Sequence, residues 1–445
     1  MRCYPLGIGK NILEPNKPIT MKQLLIFIAF ASSIFSFVQN TYLHCGKLID
    51  TKSGKIVTEK TVIISGKKIV SVENGYVMPT SQDDDVIDLK TKTVMPGLID
   101  MHVHLESETN PKSYLEDFTL NDADIAFNSL HFAEVTLMSG FTTVRDLGGS
   151  GVNVSLRNAI AQGKSVGPRV FTSEKSLATT GGHADPTNGG KKELLGDPGP
   201  KEGVVNSIDD AKKAVRQRYK NGADLIKITS TGGVLSVAKS GHNPQFTVEE
   251  IKAICEIAKD YGYHVAAHAH GDEGMKRAIL GGVKTIEHGT MMSDETMELM
   301  KQHDVYLVPT ITAGRTVADN AKIEGYYPEV IVPKALEIGP KIQNTFGRAY
   351  KKGVKIAFGT DAGVFYHGEN GKEFGYMVEA GMPAMETIQS ATITPAKILN
   401  METEIGQIQA GFFADIIATN EDPTQNIKTM ETVVFVMKEG KVYKK

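Results

Sequence analysis

The chain predicts an α/β fold, a (β/α)8 TIM barrel joined to a small β-sandwich domain that both chain ends build. Three observations predict it. Apolar strand patterns alternate with helical patterns from Pro96 to about Asn400, which favours a barrel over a doubly wound sheet. The flanks of that region instead carry short β-rich runs separated by glycine turns. Side chains able to bind metal recur where successive strands would end: His102 and His104 in PGLIDMHVH, Lys227 in ADLIKI, His268 in HVAAHAHG, His288 in TIEHG and Asp361 in IAFGTD. A barrel delivers residues from several strand ends to one mouth.

Taken in order, residues 1–20 hold scattered Pro and Gly without periodicity and predict no element. The segment MKQLLIFIAFASSIFSFVQN, residues 21–40, opens with a lysine, runs apolar and ends among small and polar residues, as a secretory signal peptide does. Its apolar run is shorter than a membrane span requires. We therefore expect a start at Met21, cleavage between Ser36 and Asn40, and an exported mature protein, periplasmic or secreted, with no stable membrane span. A buried N-terminal helix is the alternative. From Thr41 to about Thr93, TYLHCGKLID, KTVIISGKKIVSV and VIDL read as strands around a TKSGK turn and a polar SQDDD stretch. IGQIQAGFFADIIATN and TVVFVMKEGKVYKK read alike at the far end. Residues 41–95 and 404–445 are thus assigned to the sandwich, 96–403 to the barrel, and 1–40 to the N-terminal extension and leader.

Within the barrel, strands are expected at LIDMHVH, TTVRD, RVFTS, ADLIKIT, HVAAHAH, TIEHG, VYLVPT and KIAFGTD. VEEIKAICEIAKDYGY and DETMELMKQHD have helical spacing. Thr247 with Glu250 makes a capping box for the first, and Ser293 caps the second. Residues 181–206 are too long and too rich in Gly and Pro for a simple connection, and make a candidate lid.

At 445 residues the chain suffices for a barrel and a companion domain; with 41% hydrophobic and 23% charged residues and a formal net charge of −3, it offers nothing to a polyanion or an acidic membrane. No nucleic-acid partner is expected. A small-molecule substrate is, and a homo-oligomer is compatible with the composition. Cys3, Cys45 and Cys255 form no C-x-x-C pair and cannot make a disulfide framework.

Residues two apart in a strand share a face, so His102 and His104 can ligate one ion. A lone strand histidine is usually a satisfied core residue; the ordered recurrence of four with an aspartate is what departs from that. Lys227 lies in an apolar strand, where it either reaches the rim, pairs with an acid such as Asp224, or is buried at large cost. Burial lowers its pKa, and a neutral amine can add carbon dioxide, becoming a carbamate able to bridge two cations. Asp361 is placed as metal ligand and catalytic acid/base, taking a proton from a water that two divalent ions acidify and passing it to the leaving group; a helix N-cap is its plain alternative. Position also nominates His183, His270, Arg145 and His367 as substrate contacts. Arg145 could instead pair with Asp146, and His270 could support a ligand.

These residues resemble the metal-dependent amidohydrolases, in particular the imidazolonepropionase-like branch and its carboxylated-lysine, prolidase-like dipeptidases. The resemblance spans roughly residues 41–440, through GKLID, PGLIDMHVHL, GFTTVRDLGG, TGGVLS, AHAHG, IEHG, GTDAG and GQIQAGFFADIIA. It implies a distorted barrel with a β-sandwich. It also implies His102, His104, Lys227, His268, His288 and Asp361 as ligands of two ions, the first held by His102, His104 and Asp361, the second by His268 and His288, with carbamylated Lys227 on both. Deaminases of the superfamily carry an acid three residues after the fifth-strand histidine, where this chain has Gly271. The expected activity is hydrolysis of an amide bond in a dipeptide or N-acyl amino acid by a metal-bridging hydroxide, zinc being the metal that the nitrogen-rich ligands favour. A lactonase or cyclic-amide hydrolase on the same site, or a non-catalytic binding protein of this fold, are the alternatives.

Overall fold

Alternation at period two decides how the two parts of the molecule share their apolar side chains. In the computed structural model, which describes residues 39–445, the strands of the chain ends are β1 (Asn40–Asp50), β2 (Lys55–Ser65), β3 (Lys68–Asn74) and β4 (Asp85–Pro96) from one end. The other end supplies β13 (Ile416–Thr419), β14 (Phe435–Lys438) and β15 (Lys441–Lys444). They form one sheet in the order β15-β14-β13-β4-β1-β2-β3. It curls back on itself, because Ile69 donates to the Phe412 carbonyl at 2.9 Å and Ala414 to that of Lys67 at 2.9 Å. Ile416, Ala418, Phe435 and Met437 point into the core so enclosed, while Ile417 and Val436 between them join the main core. The sandwich expected from both chain ends is therefore present, closed by one continuous sheet.

The eight expected barrel strands are all present: β5 (Leu98–Val103), β6 (Phe141–Asp146), β7 (Arg169–Thr172), β8 (Ile226–Thr229), β9 (Val265–Ala269), β10 (Thr285–His288), β11 (Tyr306–Val308) and β12 (Lys355–Ile356). They pair in parallel in two arcs, β5-β6-β7 and β8 through β12. Two isolated bridges close the seams, Leu177 with Ile228 and Val103 with Ala362. The barrel is distorted for that reason: β7 ends before it reaches β8, and the turn after β12, not β12 itself, meets β5. Helices cover the outside and side chains fill the inside, so β5, β6, β8, β9, β10 and β11 are buried along their whole length.

The helix ends match their caps. Thr247 and Glu250 form the capping box of the helix Val248–Asp260, and Ser293 accepts from the Thr296 amide at the start of Asp294–Gln302. Residues 181–206 are turns with one short helix, Lys192–Leu195. Residues 21–38 of the expected leader lie outside the described residues. Among the described residues no helix is long and apolar enough to cross a membrane.

Candidate active site

The carboxyl ends of the barrel strands open into a cavity of about 300 Å³, into which His102, His104, Lys227, His268, His288 and Asp361 all project. Three backbones there are left-handed without being glycine, His288 (φ 72°), Thr310 (φ 53°) and Asp361 (φ 63°). Strain of this kind persists only where surrounding bonds enforce it. Asp100 supplies some of them. Its carboxylate accepts from the Thr360 hydroxyl at 2.6 Å, from Asn370 at 2.9 Å and from the His102 amide at 3.0 Å. The Asp361 amide in turn donates to the His102 carbonyl at 2.7 Å.

Each imidazole is anchored through one nitrogen, which leaves the other for the cavity. His102 Nδ1 meets Glu287 Oε2 at 3.0 Å, and His104 Nδ1 meets the Gly148 carbonyl at 2.8 Å. Both Nε2 atoms then lie 3.3 Å from Asp361 Oδ1. His288 Nδ1 meets the Thr310 hydroxyl at 2.7 Å, and His268 Nε2 the Gly232 carbonyl at 3.1 Å. Lys227, only 3% exposed, brings Nζ to 3.4 Å from His102 Nε2. Its conceivable partner Asp224 is occupied instead by Arg157 at 2.7 Å.

The electrostatics suit a cation. Burial, followed by neighbouring positive charge, holds His102, His268 and His288 well below the ordinary imidazole value, so they stay neutral and keep a lone pair to give. Burial lowers Lys227 to about 8 against the opposing pull of Glu287 and Asp361. For Asp361, burial would raise the pKa, but His102, His104 and Lys227 outweigh it and bring the carboxyl to about 2. Its Oδ1 is nonetheless buried without a hydrogen bond. An orphaned anionic oxygen between imidazole nitrogens fits a divalent ion. Ligand atoms within 4.8 Å of one another form two such groups, His102, His288 and Asp361, and His268, His270 and His288. The geometry thus brings His270 among the metal-capable residues and lets His288 face both groups.

Of the four proposed substrate contacts, two line the cavity. His183 and His270 do, and His183 Nδ1 is buried with no partner. Arg145 does not. It is fully buried, donating to Glu287 at 2.8 Å and to the Met101 carbonyl at 2.7 Å, so it has no face left for substrate, and its acid is Glu287, not Asp146. His367 is likewise turned away, bonded to the Ser107 carbonyl at 3.0 Å and stacked on Phe132. The candidate lid contributes only His183 and Ala184; the apolar wall comes from Val234, Leu235, Val317, Ile338 and Ile342.

Three residues behind the site escaped the sequence reading. Glu287 and Asp100 are carboxylates within apolar strands, which was itself a signal, since a buried acid needs donors. Thr310, which orients His288, carried no sequence signal.

Comparison with known proteins is consistent with this geometry. The amidohydrolase family model matches residues 93–443. Ochratoxinase of Aspergillus niger is 31% identical over 426 residues, covering 91% of this chain and 86% of that protein. A solved Xaa-Pro dipeptidase with methionine bound in its active site is 52% identical, with a TM-score of 0.89 over 92% of this chain and 100% of its own. A prolidase complexed with N-methylphosphonate-L-proline is 32% identical, with a TM-score of 0.83 over 92% and 100%.

Proposed function

The chain belongs to the amidohydrolase family and is a hydrolase of carbon–nitrogen bonds, and from that premise we propose that it cleaves the amide bond of a dipeptide or N-acyl amino acid at a two-cation centre. The observation that carries this reading is the orphaned Asp361 Oδ1, 3.3 Å from two imidazole Nε2 atoms and beside a buried lysine. His102, His104 and Asp361 would hold one ion and His268 and His288 the other, with His270 beside the second. Zinc suits so nitrogen-rich a donor set. When bound, such ions supply Lewis-acid chemistry, acidifying a water and polarising the scissile carbonyl.

The remaining roles belong to the chain. The free-amine fraction of Lys227, enlarged by the fall of its pKa to about 8, would add its lone pair to carbon dioxide, forming an N–C bond and releasing a proton, which leaves a carbamate anion facing both groups of ligands. Asp361 takes the proton of the attacking water and returns it to the departing nitrogen. Burial holds His183 at about 3, so its ring is neutral, and in the tautomer protonated at Nδ1 that unpartnered N–H would donate to a substrate carbonyl or carboxylate. Val234, Leu235 and Ile338 present an apolar surface to a substrate side chain. The dipeptidase and prolidase among the solved relatives support a dipeptide.

Chelation is expected to abolish hydrolysis of a dipeptide and N-acyl amino acid panel, and added zinc or manganese to restore it. Full activity in a metal-stripped sample overturns the mechanism, and faster turnover of lactones than of any amide overturns the substrate class. Gly233→Ala offers a finer check. A Cβ there would stand 2.2 Å from the His183 ring, so the ring must leave its place, and KM is expected to rise about tenfold with a smaller fall in kcat. An unchanged KM removes His183 from substrate binding.

A further inference from the structure

The TGGVLS segment after β8 supplies part of the apolar wall described above, and the chemistry there does not explain what holds the segment in place. Its backbone is crowded on both sides. A Cβ on Gly232 would stand 2.1 Å from the Ser240 carbonyl oxygen, and one on Gly233 would meet the His183 ring. Gly232 also accepts the hydrogen bond that orients His268, at 3.1 Å. Val234 and Leu235 follow, lining the cavity, and Val234 packs with Val317, Ile331, Ala335 and Ile338 in a small apolar cluster apart from the main core. One short loop thus touches a metal-capable histidine, a substrate-facing histidine and the side-chain wall.

That loop is held by a buried ammonium. Lys334, on the helix Val332–Ile338 and 6% exposed, donates to the Gly233 carbonyl at 3.2 Å, to that of Ala238 at 2.8 Å and to that of Ser236. Its three N–H groups are all used. Burial alone draws the amine down to about 8, so three backbone dipoles stand where an anion would ordinarily be, and the group remains mostly protonated near neutrality. A lysine on an exposed helix gains nothing from such a position, since its head would be better solvated in water. The arrangement holds a loop at the cost of desolvating a cation. On the opposite side of the loop the Tyr114 hydroxyl donates to the Leu235 carbonyl at 2.7 Å.

We propose that Lys334 is a positioning residue for substrate selection: its clamp on residues 233–238 sets the depth of the apolar wall that Val234 and Leu235 present to the substrate side chain. The inference rests on the amide-hydrolase reading of the same cavity and names what limits its choice of substrate. Because Lys334 touches neither substrate nor ligand atoms, it acts through the loop. Loosening the loop costs most where a large side chain leans on the wall and least where the substrate has none.

The test compares Lys334→Met with the parent, both in the full chain reconstituted with zinc. For an amide substrate with a bulky apolar residue, KM is expected to rise about tenfold, and for its glycine counterpart less than about threefold, with smaller changes in kcat. Hydrogen exchange should quicken over residues 233–238, and bound zinc should stay at the parent level. Lys334→Arg, which keeps donors, should recover part of the selectivity. Tyr114→Phe, which frees the other side of the loop, should shift KM in the same direction by less and serves if Lys334→Met does not fold. Equal losses on both substrates, or no change in either, overturn the clamp. If the parent hydrolyses no amide, the functional reading fails by itself, and hydrogen exchange still decides whether Lys334 holds the loop.

Discussion

Lys227→Ala is expected to lose metal and turnover together. Lys227 is buried in an apolar strand, its amine is drawn down to about 8, and it faces His102 Nε2 at 3.4 Å. An ammonium in that place would set a positive charge against the cations the histidines are arranged to receive. A carbamate would set a negative one there, and removing it should lower kcat by about a thousandfold or more, the equivalent of several kcal/mol of charge stabilisation. Metal analysis is the independent readout: stoichiometry should fall from about two ions per chain towards one or none. The alternative is that Lys227 is an ammonium balancing Asp361 and Glu287, and small-molecule rescue separates the two. A short carboxylate such as propionate can occupy the space vacated by the side chain and replace an anion, whereas trimethylamine, a tertiary amine that cannot form a carbamate, can replace only a cation. Recovery with propionate supports the carbamate; recovery with trimethylamine, with metal retained throughout, sinks it. Asp361→Asn tests the other half of the proposal. It keeps an oxygen ligand and removes the proton acceptor, so metal should largely remain while kcat falls by about a hundredfold to ten-thousandfold.

The sequence exposed most of this because the barrel's strands are apolar runs, and a titratable side chain inside one stands out. His102, Lys227, His268 and His288 were visible on that ground, and the cavity does collect them. His183 was legible from its glycine-flanked loop. What sequence could not give was direction. Arg145 sits in a strand as conspicuously as Lys227 does, yet its guanidinium points to Glu287 and the Met101 carbonyl; only the packing of β6 against β5 and β10 decides that. His367 follows Asp361 closely enough in sequence to suggest the mouth, but Phe132 and the Ser107 carbonyl draw it into the wall of the protein. The candidate lid reaches the cavity through His183 and Ala184, but the sequence did not show how little of the wall it would supply. Its composition showed a long loop and could not show that Val234, Leu235 and the segment containing Ile338 would supply the apolar surface. The sandwich was read correctly because its short β-rich runs are set apart by glycine turns, whereas only the structure shows that alternate residues of β13 and β14, both continuous apolar runs, serve two different cores.

Arg145→Met should destabilise the protein more than any substitution among the exposed charges, and it should weaken metal binding although Arg145 touches no ligand atom. Arg145 and Glu287 are both fully buried and meet at 2.8 Å. The other nitrogens of the guanidinium are committed too, Nε to the Met101 carbonyl at 2.7 Å and Nη1 to His264 at 3.2 Å and Thr285 at 3.3 Å. His264 is an acceptor here, since burial and then Arg145 itself push its pKa down to about 3. Removing one member of such a pair leaves the other charge stranded, at a cost of about 3–5 kcal/mol, or a fall of about 5 °C in melting temperature for a chain of this length. Glu287 also holds His102 Nδ1 at 3.0 Å, which keeps the proton on that nitrogen and the lone pair on Nε2. A stranded carboxylate would shift towards His102 or take up a proton, and either change disturbs the ligand, so affinity for zinc should fall by about ten- to a hundredfold. The double variant Arg145→Met with Glu287→Gln separates the two effects. It removes the buried charge and should regain much of the melting temperature, yet it lacks the anion behind His102 and should leave zinc affinity low. If stability and affinity recover together, the pair only holds the barrel shut; if the double variant folds well and still binds zinc poorly, the carboxylate behind His102 acts on the metal centre itself.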